Sequence, residues 1–285
     1  MIRSPIVYSG SKYKLLPQLL PLFPSKINNF IDVFCGSCTV SLNVKAKNHF
    51  LNDSITPLVE LYKKLKETTI EELVIRIEDV FTKYNIENNE SKENYNTLRS
   101  DYNRTRDPLL LLVLTFISFN NAIRFNNKFE FNMPFGKKIC KDRYIKNKKT
   151  QLNDFIENSK TFNFYNCDFS DFLSKLSITP EDFVYLDPPY LITAAPYLDG
   201  KRGFGWNADN ELKLLSILDD LNSKGIKFGL SNVLTHKGKT NDILIEWSKN
   251  YNVKHINAIY SWGGNTDYTQ NFTTDEVYIY NYEQH

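Results

Sequence analysis

The sequence lacks a long hydrophobic run. Its longest apolar stretch, residues 109–119, contains Thr115 and Ser118 and is well short of the roughly 20 residues that cross a bilayer. Residues 1–5 carry one charged side chain and no apolar segment of the kind that a secretory signal has. We therefore expect a protein that stays out of membranes and works in the cytoplasm.

Cysteine is also scarce. Four cysteines in 285 residues do not make a disulfide scaffold, and a cytoplasmic setting would keep them reduced. Cys35 and Cys38 have the C-x-x-C spacing of zinc ligands, but Cys140 and Cys167 do not form a second such pair. We expect neither a metal site nor a redox dithiol.

The chain has little net charge. Its 35 basic and 33 acidic residues leave a balance of +2, so the molecule as a whole has no strong attraction to polyanions. Residues 137–149 nevertheless hold seven cations against Asp142. Such a run is either a solvated loop or a phosphate-binding surface, and the run alone does not decide between them.

The composition, 41% hydrophobic and 14% aromatic, is that of a folded globular protein with one large domain or two modest ones. No internal repeat is visible. Strand and helix patterns alternate before about residue 60 and after about residue 155, with helical patterns between, which predicts one α/β sheet interrupted by a smaller domain. The predicted strands are residues 29–34, 50–53, 161–167, 183–187, 226–230, 253–260 and 277–282. The predicted helices are residues 14–22, 57–65, 70–84, 211–221, 242–247 and the apolar run after Pro108.

Small or acidic residues follow the first three predicted strands. The first strand leads into Phe34, Cys35, Gly36, Ser37 and Cys38, the second ends at Asp53, and Asp168 and Phe169 follow the third. Ligands of open parallel sheets bind beyond the carboxyl ends of the strands, where a small turn admits them and an acid can accept hydrogen bonds from ribose. The pattern therefore favours an adenosine-containing ligand.

Each of these residues also has a purely structural interpretation. Gly36 could be an ordinary turn glycine, and Asp53 and Asp168 could each cap a helix. A nicotinamide-dependent dehydrogenase fits poorly, because no G-x-G-x-x-G follows the first strand.

The fourth predicted strand ends in Asp187, Pro188, Pro189 and Tyr190. Two prolines stop a strand and leave a rigid carbonyl, so Asp187 and the Pro188 carbonyl offer two acceptors for the two hydrogens of an exocyclic amine. Held in this way, the amine keeps its lone pair for attack, while Tyr190 offers a ring on which a planar base can stack. The alternative is a strand end with an incidental tyrosine.

This combination resembles the Dam-type, D12 class DNA adenine-N6 methyltransferases, which transfer a methyl group from S-adenosylmethionine to adenine. Further segments are similar to family motifs: an aromatic-Gly-Lys motif, a ribose-binding segment, the two parts of a DNA-reading hairpin, and a closing strand. They are residues 8–13, 51–62, 119–126, 131–136 and 276–282.

The resemblance implies an α/β, Rossmann-like methyltransferase fold, with a mostly parallel sheet, an antiparallel C-terminal hairpin and a smaller, mainly helical DNA-recognition domain that carries a β-hairpin. Residues 1–56 and 158–285 would form the catalytic domain that binds S-adenosylmethionine, and residues 57–157 the target-recognition domain. A monomer suffices for this chemistry, and the oligomeric state is left open.

The resemblance also implies the roles of individual residues. Asp187, Pro188, Pro189 and Tyr190 would be catalytic and hold an adenine flipped out of the duplex. S-adenosylmethionine, which leaves as S-adenosylhomocysteine, would be bound by Tyr8, Ser9, Gly10, Lys12, Phe34, Cys35, Gly36, Ser37, Cys38, Asp53, Asp168, Phe169 and Asp187.

Double-stranded DNA is the implied partner. Arg124 would read a guanine through O6 and N7, which fits a target such as GATC, although it could instead contact phosphate. The other implied DNA-binding residues are Asn120, Asn126, Asn132, Lys137 and Lys138. The asparagines could equally cap turns, while the basic run now favours phosphate binding. A restriction endonuclease would be a genetic rather than a physical partner.

The sequence departs from the family at a few places. Cys38 stands where a second glycine is common, and residues 261–274 lack arginine and lysine. Residues 197–206 could close over a flipped base or simply connect two elements. Two other functions stay open: a methyltransferase for RNA, protein amide or cytosine N4, and a non-catalytic nucleic-acid binding module.

Overall fold

The computed structural model describes residues 1–86, 92–136, 141–193, 205–257 and 274–283. The helices are α1 Leu16–Leu19, α2 Thr56–Lys66, α3 Ile70–Lys83, α4 Lys92–Thr105, α5 Pro108–Ile117, α6 Lys141–Asn158, α7 Phe169–Ser174, α8 Ala208–Ser223 and α9 Asp242–Ser248. The strands are β1 Asn29–Asp32, β2 Asn48–Asn52, β3 Phe162–Tyr165, β4 Phe183–Leu186, β5 Lys227–His236, β6 Lys239–Thr240, β7 Asn252–Ile256 and β8 Thr274–Tyr280.

The strands form one sheet in the order β3-β2-β1-β4-β5-β8-β7, and β6 pairs with β5. β4 runs parallel to both β1 and β5. β8 runs antiparallel to both β5 and β7. All four residues of β4 are buried, as expected for a central strand with both faces covered. The predicted α/β class, with a mostly parallel sheet and an antiparallel C-terminal strand pair, is confirmed.

The chain divides into two compact units. One consists of Met1–Tyr13, Cys35–Asn43 and Leu51–Asp168, and the other of Lys14–Phe34, Val44–Phe50 and Phe169–His285. The recognition domain assigned above to residues 57–157 is a division by function, and it stays a prediction.

Helix α5 forms the centre of the first unit. Pro108 opens it, and the Asp107 carboxylate caps it by accepting a hydrogen bond from the Leu109 N–H at 2.9 Å. Every residue from Leu110 to Ile117 is buried, so this helix is covered on all sides by the other helices of its unit. The apolar run after Pro108 is therefore core.

Two helices of the first unit are missing from the sequence-based prediction. α4 is polar and buries only Tyr95, Leu98 and Tyr102, a stripe too narrow to stand out as a helical pattern. α6 contains most of the basic run, whose charges hide the apolar positions near its end. Tertiary packing, rather than a strong local pattern, stabilises both helices.

Residues 14–22, predicted as one helix, form a shorter and interrupted structure. The chain makes a 3-10 turn at Lys12–Lys14, helix α1, and a second 3-10 turn at Leu20–Leu22. Pro17 and Pro21 lack an N–H donor, so each is tolerated only in a first helical turn, and two such residues exclude one continuous helix.

The structure places a glycine in β5 where a side chain would collide with an aromatic ring. Tyr278 of β8 is fully buried, and its hydroxyl lies 2.7 Å from the Tyr282 hydroxyl. A Cβ added at Gly229 would lie 1.9 Å from the Tyr278 hydroxyl oxygen and 2.5 Å from its ring. Gly229 is therefore required for space.

We expect Gly229→Ala to lower the free energy of unfolding by about 2 kcal/mol, since an inserted methyl group must displace a packed ring. Denaturant unfolding measures the cost. In a Tyr278→Leu background the obstructing ring is gone, and the same substitution should cost under about 0.5 kcal/mol. An equal cost in both backgrounds would contradict the steric explanation.

Candidate functional site

The turn after β1 is held through the peptide groups of Gly36. The Gly36 N–H donates to Asp53 Oδ2 at 3.0 Å, and its carbonyl accepts from the Tyr62 hydroxyl at 2.7 Å. Gly36 has a φ of +46°, in the left-handed region that glycine adopts without strain. Bonds from both sides therefore fix a backbone shape that a small residue makes possible.

Asp53 has two backbone partners. Besides Gly36, the Ile55 N–H donates to its Oδ1 at 2.9 Å, and Ile55 rather than Asp53 is the N-cap residue of α2. Burial raises the pKa of Asp53 to about 6, against the opposing effect of the two N–H donors. Each carboxylate oxygen can accept a further hydrogen bond, so the ribose-binding role stays a prediction that the geometry permits.

Cys38 keeps the shape of the turn despite its side chain. Its φ of 57° is left-handed, the conformation that a glycine would favour at this place. The residue is fully buried, and its N–H donates to the Cys35 carbonyl at 2.6 Å. Cysteine thus takes a backbone conformation that glycine would adopt without strain, which adds local strain.

The N-terminal segment packs on the same turn. The Tyr8 ring is close enough to Gly36 that a Cβ there would lie 3.5 Å from it. Thr39 Oγ1 lies 3.1 Å from Ser11 Oγ and 2.7 Å from Ser37 Oγ. Lys12 is buried, and its Nζ donates to the Gly10 carbonyl at 3.3 Å.

Of the predicted cofactor residues of the first unit, Tyr8 and Asp53 therefore lie against the turn, Lys12 contacts Gly10, and Ser9 and Gly10 are exposed.

Asn52, which the sequence did not single out, joins the ends of β2 and β3. Its amide donates to the Cys167 carbonyl at 3.1 Å and accepts from the Cys167 N–H at 3.1 Å. Asp168 is exposed and directly precedes α7, so its role toward a ligand stays a prediction. The signal for Asn52 was its place at the end of a strand, one residue before Asp53.

The second unit contains an aromatic cluster of Phe34, Phe169 and Trp206. The ring centroids are 5.5 to 5.7 Å apart. The Trp206 indole N–H donates to Glu211 at 2.5 Å, and the other carboxylate oxygen of this buried Glu211 accepts from Asn232 at 3.2 Å and Asn241 at 3.0 Å. Sequence reasoning placed Phe34 and Phe169 at the cofactor and gave Trp206 a role only as the end of the loop at 197–206.

Asp187, Pro188, Pro189 and Tyr190 follow β4. The Tyr190 hydroxyl donates to Asp187 Oδ1 at 3.0 Å and lies 3.4 Å from Glu276 Oε1. Burial of the hydroxyl, followed by the charges of these two carboxylates, raises the pKa of Tyr190 well above its ordinary value.

β1 and β4 are parallel neighbours, so Phe34 and the residues after β4 leave the sheet at the same edge. Among the residues that the structure describes, no group of three His, Cys, Asp or Glu side chains could hold a metal ion.

The hairpin between α5 and α6 presents Arg124 to solvent. Paired positions at Ser118 with Phe135 and at Phe125 with Phe131 define it. Arg124 is exposed, and its Nε and Nη2 donate to the side chain and the carbonyl of Asn132 at 2.8 and 3.0 Å. These contacts use two of the five N–H donors of a guanidinium and hold its plane in one orientation.

The asparagines of the hairpin differ in what they do. Asn126 Oδ1 accepts from the backbone N–H groups of Lys128 and Glu130, and its amide donates to the Glu130 carboxylate at 2.7 Å, so it closes the turn. Asn120 adopts a left-handed φ of 56° beside Phe119, whose side chain is 51% exposed. An exposed aromatic ring here is a feature to which sequence reasoning gave no role.

Part of the predicted phosphate-binding surface lies outside the described residues, namely Lys137 and Lys138. Within α6, Lys148 Nζ donates to the Pro5 carbonyl at 2.8 Å, and burial lowers the pKa of this lysine to about 8. Lys148 is therefore engaged inside the protein. The loop predicted at residues 197–206 and the stretch at 261–274 also lie almost wholly outside the described residues.

Helix α4 holds the hairpin by its backbone. Asn103 accepts from the Phe131 N–H at 2.8 Å and donates to the Phe131 carbonyl at 3.2 Å. Tyr95 and Arg99 both donate to the Met133 carbonyl, at 2.7 and 3.2 Å. Residues 95, 99 and 103 follow one another at intervals of one helical turn and lie on one face of α4. Their side chains supply hydrogen-bond partners to the hairpin backbone, as a neighbouring strand would.

Comparison with known proteins gives the family of the chain. The family model described as D12 class N6 adenine-specific DNA methyltransferase matches residues 8–262. The chain is 43% identical over 284 residues to the Type II methyltransferase M.FokI of Planomicrobium okeanokoites, covering 99% of this chain and 43% of that protein. It is 40% identical over 292 residues to the Modification methylase StsI of Streptococcus sanguinis, with the same coverage, 99% and 43%.

A shorter relative is covered over most of its length. The chain is 26% identical over 235 residues to the DNA adenine methylase of Escherichia coli K12. The matched region covers 81% of this chain and 80% of that protein. By contrast, the chain spans less than half the length of the two relatives that it resembles at 40% identity or more.

We expect Asn103→Ala to loosen the hairpin. The substitution removes two hydrogen bonds to Phe131 and should cost about 1–2 kcal/mol of unfolding free energy, while raising the hydrogen-exchange rate of the Phe131 amide. Thr97→Ala, on the exposed face of α4, is the matched control and should leave that amide protected. An unchanged exchange rate in Asn103→Ala would show that the hairpin does not depend on α4.

Proposed function

Because the chain belongs to the D12 class of N6 adenine-specific DNA methyltransferases, we propose that it methylates adenine N6 in a short double-stranded DNA sequence, with S-adenosylmethionine as methyl donor. The activity of any longer protein that contains this chain is part of the same proposal. The observation that carries it is the arrangement after β4, where Asp187 and Tyr190 are joined by a hydrogen bond at the ligand-binding edge of the sheet.

The proposed chemistry follows from the types of acceptor at this edge. Asp187 and the Pro188 carbonyl accept the two N–H bonds of the adenine amine, which keeps its lone pair from delocalising into the ring. Tyr190 provides the ring against which the base stacks. A base inside a duplex cannot reach these groups, so the adenine is taken out of the stack.

The donor fits the residues present in chemical type. S-adenosylmethionine supplies, when bound, a methyl group on a positively charged sulfur. The buried Lys12 ammonium suits the carboxylate of its methionine part, Asp53 suits the ribose hydroxyls, and the rings of Phe34 and Phe169 suit its adenine. Tyr8, Ser9, Gly10, Cys35, Gly36, Ser37, Cys38, Asp168 and Asp187 complete the proposed set.

Recognition is assigned to the hairpin. Arg124, oriented by Asn132, would donate two hydrogen bonds to guanine O6 and N7, and GATC is the first sequence to test. Asn120 and the exposed Phe119 precede this arginine in the same segment and would contact neighbouring bases. Lys137 and Lys138 would bind phosphate.

The names of the two longer relatives describe a type II methyltransferase and a modification methylase. We propose a corresponding role for this chain, the protection of DNA against an endonuclease of matching specificity.

Methyl transfer from labelled S-adenosylmethionine to unmethylated DNA tests the function, with single-molecule sequencing to locate the modified base. We expect N6-methyladenine in one short motif. In Asp187→Ala the rate of methyl transfer should fall at least about 100-fold, because the carboxylate that accepts a hydrogen bond from the amine in the transition state is removed. Asp171→Ala, an acidic residue of α7, is the control and should retain activity.

Other outcomes redirect the assignment. Methylation of cytosine, RNA or protein by the wild-type chain would reassign the substrate. Binding of S-adenosylhomocysteine without any transfer would favour a non-catalytic binding module.

The raised pKa of Asp53 predicts a pH dependence of cofactor binding. Below about pH 6 this carboxyl is protonated, and the added proton turns an acceptor for ribose into a donor. The dissociation constant of S-adenosylhomocysteine, measured by calorimetry, should rise up to about tenfold between pH 7.5 and 5. In Asp53→Asn, binding of S-adenosylhomocysteine should be weak and its dissociation constant should not depend on pH. Asp79→Asn, at an exposed position of α3, should behave like the wild type.

Protonation of Asp53 does not itself destabilise the fold. A raised carboxyl pKa means that the folded state binds the proton more readily than the unfolded one. The stability from Asp53 is therefore full below its ordinary pKa and is lost as the pH rises through about 6. Binding that stayed constant from pH 7.5 to 5 would contradict the ribose assignment.

A further inference from the structure

A second carboxylate, outside the motif, lies beside the Tyr190 hydroxyl. Glu276 belongs to β8, is 1% exposed, and has its Oε1 3.4 Å from that hydroxyl. β8 pairs with β5, where Glu276 stands opposite Val233, and β5 pairs with β4, whose end carries Asp187. Three neighbouring strands thus bring two acidic residues to one tyrosine hydroxyl, although Glu276 lies 86 positions after Tyr190 in the sequence.

The Tyr190 hydroxyl has one hydrogen to donate and two carboxylates within reach. In the structure the closer acceptor is Asp187 Oδ1, at 3.0 Å against 3.4 Å for Glu276. A carboxylate oxygen that already accepts a hydrogen bond is a weaker acceptor for the next donor. The hydroxyl therefore weakens Asp187 as an acceptor for the adenine amine, and the proposed transfer depends on that acceptor.

The hydroxyl cannot relieve this effect by losing its proton. Burial and the two neighbouring carboxylates raise the pKa of Tyr190 well above its ordinary value, so the group stays protonated and needs an acceptor. Leaving it buried without one would cost free energy and would disturb the ring on which the base stacks.

We propose that Glu276 is a positioning residue for the proposed adenine-N6 transfer, and the inference rests on that function. When the amine of the flipped adenine binds Asp187, the Tyr190 hydroxyl donates to Glu276 instead. Glu276 thereby keeps the Tyr190 ring in its place for stacking and leaves Asp187 to the amine. The hydroxyl hydrogen changes acceptor and no covalent bond is made or broken.

The test is a double-mutant cycle between Glu276 and Tyr190. We expect Glu276→Gln to lower kcat for methyl transfer about tenfold with KM for DNA changed less than about twofold, since an amide is a weaker acceptor for the hydroxyl than a carboxylate. In a Tyr190→Phe background no hydroxyl has to be held, and Glu276→Gln should change kcat less than about twofold.

Asp275→Asn is the matched control, because Asp275 is the neighbouring acid of the same strand and pairs with His255 instead. It should leave kcat within about twofold of the wild type. Thermal unfolding of each variant identifies a substitution that acts through stability, since such an effect appears equally in both Tyr190 backgrounds.

A direct readout of the hydroxyl completes the test. In protein labelled at the tyrosine ζ carbon, Tyr190→Phe identifies the Tyr190 signal, and binding of target DNA with S-adenosylhomocysteine should shift that signal in the wild type but not in Glu276→Gln. Equal losses of kcat in both Tyr190 backgrounds, or no loss in either, would overturn the proposal while the wild-type activity stood. A wild-type chain without methyl transfer to DNA would instead overturn the function on which it rests.

Discussion

Backbone N–H and C=O groups beyond the end of a buried strand or helix need hydrogen-bond partners. In this protein, side chains near the strand ends supply those partners. Asp53 and Tyr62 take the N–H and the carbonyl of Gly36, and Asn52 takes both peptide groups of Cys167. Asn103 does the same for Phe131 in the hairpin. These hydrogen bonds shape the candidate site. The same side chains therefore determine its geometry and contribute to the stability of the fold.

This sharing has chemical consequences. Asp53 fixes the turn as a buried carboxylate, and the burial that makes the bonds strong also moves its pKa to about 6, into a range where a proton changes its acceptor properties. Glu211 and Glu276 are likewise buried acids, each bonded to a group beside the site, the Trp206 indole and the Tyr190 hydroxyl. Buried acids thus hold the aromatic rings of the site in place.

The hairpin shows how a surface residue can be made ready for recognition. Arg124 is exposed, yet Asn132 holds its guanidinium and α4 holds the backbone behind it. An oriented guanidinium loses less conformational entropy when it binds than a mobile one, and its planar donors match a base edge. Helix α4 thereby connects the fold of the first unit with the surface proposed to read DNA.

The sequence by itself determined the elements whose patterns are local. The buried strand before Asp187, the prolines that end it and the apolar helix α5 are each visible within about ten residues, and the α/β class follows from their order. The candidate cofactor turn was also visible, because small residues mark it without reference to distant contacts, and Arg124 was proposed from the resemblance of its segment to a family motif.

The tertiary structure alone decided what depends on residues far apart in the chain. Glu276 reaches Tyr190, Asn103 reaches Phe131 and Asn52 reaches Cys167 only once the strands and helices have packed. α4 was not predicted for the same reason. Its narrow apolar stripe stabilises a helix only through packing against the core of the unit. Local patterns therefore predicted which chemistry is present, and the packing of distant segments decided which side chains hold it in position.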